Sequence, residues 1–472
     1  MGKPSLPTIL AICALAANYG SRSVLPVVSH VICSDSHCSA SELVGASASA
    51  FFAGDLVAQL AAKPLVQRYS GQQLLSLGTA AWAAVLLLVP LAVQGPMLGL
   101  LLLKLPFGFC CGLGYPAAHA LLAEAVPAAE KGLAVSLIVS ASAMGAMISN
   151  FITPQLVDFC GWPTPFVLFA VLGGATAVAI RMLPSSRPKA KALVAETADW
   201  EELLVWSKEP LILAIYFAMY ASGVANAFLY SFVPSLFVEA YGAQVSDLAW
   251  LTAAAPLCNS VCCVLSGILA DRLAKSWPTH RCRMLMQLLG TALPALCLVT
   301  ICSSESRFSV SILLTLWMGT HGFQTSGLTA LFHDVAHTRA SELFAIGNVF
   351  SKFAGILAGP MFSRNAALWG WKCVLCGLSV HYAMSGIVLI SLMHRSKEAG
   401  KLFSTEEKLH TKPVALKMEQ TSTGRKTAGG QEEPTVSLSP DSGPCSELPH
   451  KVPSYPPDQV PQMTQRRGRA LG

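Results

Sequence analysis

The chain has 472 residues, of which 53% are hydrophobic and only 12% charged, and its mean hydropathy is +0.53. A soluble domain carries about a quarter charged residues, so this composition excludes an ordinary water-soluble globule and describes a membrane protein. The net charge of +6 is accounted for by basic loops flanking the membrane and needs no nucleic acid to explain it.

Twelve apolar stretches follow one another, each long enough to cross about 30 Å of hydrocarbon as a helix, where every backbone group must be satisfied internally. They cover residues 7–32, 43–62, 74–94, 97–123, 132–153, 163–183, 210–236, 248–270, 284–302, 308–332, 342–362 and 371–393. The first has no cleavage-like segment behind a basic leader, so it reads as a span of the mature chain. Thirteen lysines and arginines, from Lys63 and Arg68 to Arg339, fall in the loops of one side, against Arg307 and Arg364 on the other. The bias places both termini in the cytoplasm. Most of the 15 cysteines lie within spans and read as small packing residues. Cys33 and Cys38 are the exception: both fall in the first outward loop, where a disulfide and two free thiols are both open readings.

The expected organisation is a six-helix bundle over 1–183, a cytoplasmic linker over 184–209, a second six-helix bundle over 210–393 and a disordered cytoplasmic tail over 394–472. The linker holds SSRPKAK and then acidic DWEE; the tail is dominated by Pro, Ser, Thr, Gln and Lys and lacks the apolar surface to fold. Its RRGR reads as solvated or as touching anionic lipid. The segment DWEELL, Asp199 to Leu204, has the form of an endosomal sorting signal and equally that of an amphipathic surface segment. The halves share landmarks, with a Gly-Trp pair before the sixth span (Gly161, Trp162) and before the twelfth (Gly370, Trp371). Internal duplication of this kind is common in secondary transporters, whose binding site lies near the midplane between the repeats.

Several charges lie deep inside the spans. Arg22 is roughly 22 Å from the start of the first span at 1.5 Å per residue, too deep to reach either interface easily. Lys104 in the fourth span sits at a similar depth, and Lys352 in the eleventh and His321 in the tenth lie near the midplane. Asp55 in the second span is the one acid of comparable depth. An intramembrane ion costs at least ~2.5 kcal/mol, so three permanent cations against one carboxylate imply a compensating anion. Plainer readings stand beside this one. Arg22 could pair with Asp55 and brace two helices, Lys104 could extend outward, Lys352 could face a structural acceptor, and His321 could be a satisfied packing histidine. Asp55 and His321 are the candidates for carrying a coupled proton.

Glycines and prolines in GFCCGLGYP, SASAMGAM and AGILAGP allow close helix contact and bends. No phosphate-binding G-x-x-x-x-G-K-[ST] loop and no metal-ligand cluster occur, so neither a cofactor nor an enzymatic activity is expected, and the driving energy should come from gradients.

The order and spacing of several motifs resemble the major facilitator superfamily, in particular its anion:cation symporter branch, over about residues 7–393. NYGSRSVLPVV is similar to the branch's N-Y-x-x-R-x-x-L-S. KLPFGFCCGLGYPA is similar to R-x-x-x-G-x-x-E-G-x-x-Y-P-A, and VPAAEKGLAVS to the W-x-P-x-x-E-R loop that follows it. The stretch from Ser326 to Pro360 resembles S-G-F-x-x-N-x-x-D-x-A-P and its continuation, and GILADR carries the G-x-x-x-D-R turn at Gly267, Asp271 and Arg272. The resemblance implies an all-α membrane protein of twelve helices in two pseudo-symmetric six-helix bundles. It carries Arg22 and Asn348 over as site residues, Asp334 as a structural residue, and Lys104 in place of an arginine, without the bidentate fork. Cys111 stands where the branch has an acid implicated in proton coupling, and Gln67, Gln72 and Gln73 stand where the first-half loop is usually charged. Lys352 and Asp55 are also departures.

The function expected is secondary active transport of a small organic or inorganic anion by alternating access, coupled to H+ or Na+ or driven by membrane potential, in the plasma membrane or an endomembrane vesicle. Arg22 and Lys104 would contact the anion from the first half, and Lys352, His321, Gln324 and Asn348 from the second. The alternative is a transport-inactive receptor, sensor or scaffold of the same fold, as the missing acid at Cys111 and the altered loop would suggest.

Overall fold

The computed structural model describes residues 5–34, 39–126, 131–184, 200–335 and 340–398. Among them there is no strand; the polypeptide satisfies its backbone within helices, as hydrocarbon requires. The first half contains α1 (Leu6–Ser34), α2 (Ala40–Arg68), α3 (Gly71–Val93), α4 (Met97–Gly112), α5 (Gly114–Ala125), α6 (Lys131–Cys160) and α7 (Thr164–Arg181). After the short α8 (Trp200–Ser207), the second half contains α9 (Pro210–Ser231), α10 (Val233–Ser235), α11 (Leu248–Thr252), α12 (Ala254–Leu273), α13 (Thr279–Ser303), α14 (Arg307–His321), α15 (Ala330–Val335), α16 (Ala340–Trp369) and α17 (Trp371–Glu398).

Among the described residues, eleven helical segments are long and apolar enough to span a membrane. The twelfth expected passage is made in pieces: α14 ends at His321, a π-helical turn covers Thr325–Thr329, and α15 resumes at Ala330. Gly327 in that turn lies so close to α13 that a Cβ there would stand 2.7 Å from the Gln287 backbone nitrogen. The fourth passage is also interrupted, at Leu113 between α4 and α5. Pro116 has no N–H to give to the Gly112 carbonyl, and its ring crowds that oxygen.

Within the first half α1 packs on α6, α2 on α4, and α3 on α7; within the second, α9 packs on α16, and α13 on α17 and α14. Glycines set the close approaches: a Cβ on Gly145 would collide with Ala16, and one on Gly223 would stand 2.7 Å from the Ser351 Cα. Helix ends are closed by polar side chains. Ser70 and Gln73 form a reciprocal capping box at the start of α3, and both Glu124 carboxylate oxygens accept from the Gly71 N–H at 3.0 Å. Gln72 donates to the carbonyls of Ile180, Arg181 and Leu183 at 3.0, 3.3 and 2.9 Å, closing the end of α7. Two of the glutamines that replace charged loop residues therefore serve as caps.

The halves meet along α2 and α16, with further contact of α6 against α11 and α12 and of α1 against α9 and α10. Their hydrogen bonds gather away from the basic turns. Ser49 donates to the Ile356 carbonyl at 2.6 Å, His30 meets Ser235 at 3.2 Å, and Asn150 donates to the Thr252 carbonyl at 3.5 Å. A Cβ on Gly45 would lie 2.7 Å from the Gly359 carbonyl oxygen, so these two backbones touch. The end of the molecule opposite the basic loops is thus held shut.

Cys33 is disulfide-bonded; Cys38 lies outside the described residues. Part of the expected linker is helical, and in α8 Leu203 and Trp206 are buried while Leu204 is exposed. The last helix continues past the expected end of the twelfth span to Glu398, and the remainder of the expected tail lies outside the described residues.

A cation-lined cavity between the two halves

A cavity of about 280 Å³ lies between the halves. Arg22 reaches it from α1, Lys104 from α4 and Lys352 from α16, so the structure brings together the three deep cations read from the sequence. Aromatic rings form much of the wall, with Tyr19, Phe51, Phe52, Phe107, Tyr115 and Tyr230 all contributing. Asn226 and Ser231 of α9 add neutral polar groups from the second half.

The break after α4 builds the Arg22 site. Where the helix is interrupted, the Cys111 carbonyl accepts from Arg22 Nη2 at 3.0 Å and from Asn18 Nδ2 at 3.3 Å. Asn18 Oδ1 in turn accepts from Arg22 Nε at 2.9 Å, one helical turn away. The guanidinium is held from one edge, with Tyr19 4.2 Å and Phe51 5.0 Å from its carbon to the ring centroids. Its remaining N–H groups have no acceptor among the described residues and are available to a planar oxyanion.

Lys104 is only 4% exposed. Its ammonium stands 4.9 Å from the Phe107 ring centroid and has no carboxylate within ion-pair distance among the described residues. A cation over an aromatic face gains roughly 0.5–2 kcal/mol, less than the at least ~2.5 kcal/mol needed to hold an ion at the membrane centre. Lys104 therefore remains under-compensated.

Lys352 differs, because its ammonium meets Asp55 Oδ2 at 2.8 Å. Asp55 is 1% exposed, and its other oxygen accepts from Gln59 Nε2 at 3.1 Å. The plainer reading of Asp55 as a brace for Arg22 does not describe the structure: Arg22 is turned to the Cys111 carbonyl, and the brace is Lys352 from the opposite half. Of the positions the sequence singled out, Asp55 stands just behind the cavity wall.

The other expected contacts lie outside the cavity lining. His321 is buried, with Nδ1 2.9 Å from the Tyr382 hydroxyl and Nε2 3.5 Å from Ser222 Oγ. Gln324 donates to the Gly290 carbonyl at 2.9 Å, facing α13. Asn348 is half-buried on α16, one turn before Lys352. Depth placed His321 near the midplane and the family resemblance carried Asn348 over, but the helix faces of His321, Gln324 and Asn348 turn away from the cavity. At the basic end, Gly267 is half-buried in α12, while Asp271 and Arg272 are exposed and make no ion pair among the described residues. The ion pair found there is Arg283 with Asp334 at 2.6 Å, and Arg283 Nη1 also donates to the Ser326 carbonyl at 2.9 Å. Sequence reading passed over Arg283 as a loop charge. It also passed over the aromatic wall, although Tyr19 and Tyr115 lie inside the motifs already singled out.

Two helical halves closing on a polar chamber at mid-depth define an integral membrane protein of the carrier class, with the binding site between repeats. The sequence pattern of the Major Facilitator Superfamily matches residues 10–360, and the chain belongs to that superfamily. It is 26% identical over 372 residues to the probable anion transporter 6, chloroplastic, of Arabidopsis thaliana, covering 74% of this chain and 71% of that protein. It is 24% identical over 351 residues to sialin of Ovis aries, covering 69% and 70%. Relatives of this kind agree with the branch resemblance read from the motifs. Among solved structures, a bacterial homologue of the human lysosomal transporter Spinster, crystallised inward-facing and unoccupied, superposes with a TM-score of 0.64 at 15% identity, over 85% of this chain and 98% of that one.

Proposed function

We propose that the protein carries a small anion across a membrane by alternating access, binding it between Arg22 and Lys104. The observation that supports this most is the charge balance of the cavity. Asp55 is committed to Lys352, which leaves Arg22 and Lys104 facing a shared chamber with no acid opposite them. A buried cation without a counter-charge is costly, and a bound anion supplies that charge. The volume of about 280 Å³ lies just below the roughly 300–1,000 Å³ range of small-molecule sites, which favours a compact anion. The names of the relatives, anion transporter and sialin, point the same way. His321 and Gln324 serve the second half as packing and hydrogen-bonding residues in this reading, and Asn348 stands back from the anion. Asp271 and Arg272 act at the basic end when the halves rock. The bias of basic loops supports cytoplasmic termini, so the shut end faces away from the cytoplasm.

The test is uptake into proteoliposomes of phosphate, glutamate, ascorbate, N-acetylneuraminate, lactate and ATP, with and without imposed proton, sodium and potential gradients. The expected result is saturable accumulation of at least one anion whose uptake falls by about tenfold or more in Arg22→Ala and in Lys104→Ala. Unchanged uptake in both variants overturns the site. Saturable binding without accumulation across a sealed bilayer would identify a receptor of the same fold instead.

A further inference from the structure

Asp55 and Lys352 belong to different halves, and their ion pair is placed unlike the other ties across the interface. Along α2, Asp55 lies six residues beyond Ser49 toward the basic end; along α16, Lys352 lies four residues before Ile356. At 1.5 Å per residue the pair is roughly 6–9 Å nearer that end than the Ser49–Ile356 bond. It is also farther toward that end than the Gly45–Gly359 contact. The charged tie thus crosses the interface at the basic-end margin of the chamber, whose α2 lining from Val44 to Phe52 lies on its other side.

The two partners are not equally enclosed. Asp55 is 1% exposed and absent from the cavity wall, whereas Lys352 is 23% exposed and lines it. The ammonium therefore stands between a buried carboxylate and the space assigned to the anion. Asp55 is fixed to the first half through Gln59, and Gly112 packs directly against its Oδ1. Oδ2 has only the Lys352 contact, with no hydrogen bond of good angular geometry behind it. When Lys352 leaves, that oxygen has no replacement.

We infer that Lys352 exchanges partners during the cycle, holding Asp55 in the empty carrier and the anion in the loaded one, and that Asp55 takes up one proton at Oδ2 on release. The inference rests on the anion reading above. The proton comes from solvent by way of the chamber, and a carboxylate becomes a carboxylic acid with no other bond changed. A buried carboxylate that loses its cation is neutralised rather than left charged. The other groups within electrostatic reach are Arg22 from α1 and Cys111 from α4. The anion occupies Arg22 in the same step, and a buried neutral thiol offers no counter-charge. One anion and one proton then travel together, and the interface tie is released only when cargo replaces it.

The experiment uses purified full-length protein in weakly buffered detergent solution, with phosphate, glutamate, ascorbate, N-acetylneuraminate or ATP added to saturation. A pH-indicator dye reads proton uptake, and thermal shift reads affinity between pH 5.5 and 8. The wild type is expected to take up about one proton per anion bound, and its affinity to fall about tenfold per pH unit where Asp55 is ionised in the empty carrier. Asp55→Asn is expected to bind at least as tightly, with no proton uptake and a flat pH profile. Anion binding by the wild type without proton uptake overturns the inference and leaves the anion site standing, and that measurement requires no variant. Undiminished proton uptake in Asp55→Asn overturns it equally. Failure of every anion to bind the wild type sinks the anion reading, and this inference with it.

Discussion

Arg22 Nη2 donates to the carbonyl oxygen of Cys111 at 3.0 Å, so the first-half cation is positioned by backbone that the α4–α5 break exposes, and the Cys111 side chain has no part in the bond. Cys111→Ala should therefore transport with KM within about twofold of wild type. Pro116→Ala, which restores an N–H to the Gly112 carbonyl and so lets the helix run on past the break beside Cys111, should raise KM by about 3- to 10-fold, as expected for weakening a single charged hydrogen bond. Uptake kinetics on the two variants separate the backbone role from a side-chain role.

Arg22→Ala should lower kcat/KM by about 10- to 100-fold, the range set by ~1.5–3 kcal/mol for charge-assisted hydrogen bonds. Arg22→Lys should recover part of this, because it keeps the charge but loses both the Asn18 contact and the planar fork. Initial uptake rates measured over a substrate range check both values.

Replacing Gly45 by valine should strain the contact with Gly359, where even a Cβ would stand 2.7 Å from a carbonyl oxygen. Overpacking costs about 1–3 kcal/mol, and here it acts on the state in which this end is shut. The expected outcome is a lower Tm together with loss of transport. Gly99→Ala, at a position with open space around it, should change neither.

Gln72→Ala leaves the carbonyls of Ile180, Arg181 and Leu183 without the buried amide that caps them. A loss of about 1–3 kcal/mol should appear as a lower melting temperature, with KM unchanged because the residue is remote from the cavity. Melting followed by intrinsic fluorescence, set beside uptake, checks the split.

His321→Gln and Tyr382→Phe break a 2.9 Å contact within the second half. Both should lower stability by about 1 kcal/mol while leaving the dependence of uptake on anion concentration within about twofold of wild type. A tenfold rise in KM for His321→Gln would return His321 to the binding site.

Membrane solvent made part of the candidate site legible in the sequence. Charged residues are so costly in apolar spans that Arg22, Lys104, Lys352 and Asp55 stood out at once, and residue rise along a helix assigned their depth. Azimuth was a different matter. Which face of α14 carries His321, or which neighbour α2 offers to Asp55, depends on how the helices pack. A period of 3.6 residues fixes relative angles within a helix, not its rotation against its partners. The glycines and proline of GFCCGLGYP foreshadowed the bend near Leu113, whereas the interruption near Gly322 was hidden, since hydropathy averages over a span and does not register a local change of helix type.

The order of residues by itself determined the solvent, the number of membrane passages and the deep excess of positive charge, because each follows from composition and length against a hydrocarbon slab of known thickness. Tertiary structure alone decided that Asp55 belongs to Lys352 and that Arg22 rests on the Cys111 carbonyl. It also decided that Tyr19, Phe51 and Tyr230 close the chamber. Those pairings join residues distant in sequence, and they are selected by the close approach of glycine-lined helices and by the breaks that free individual carbonyls.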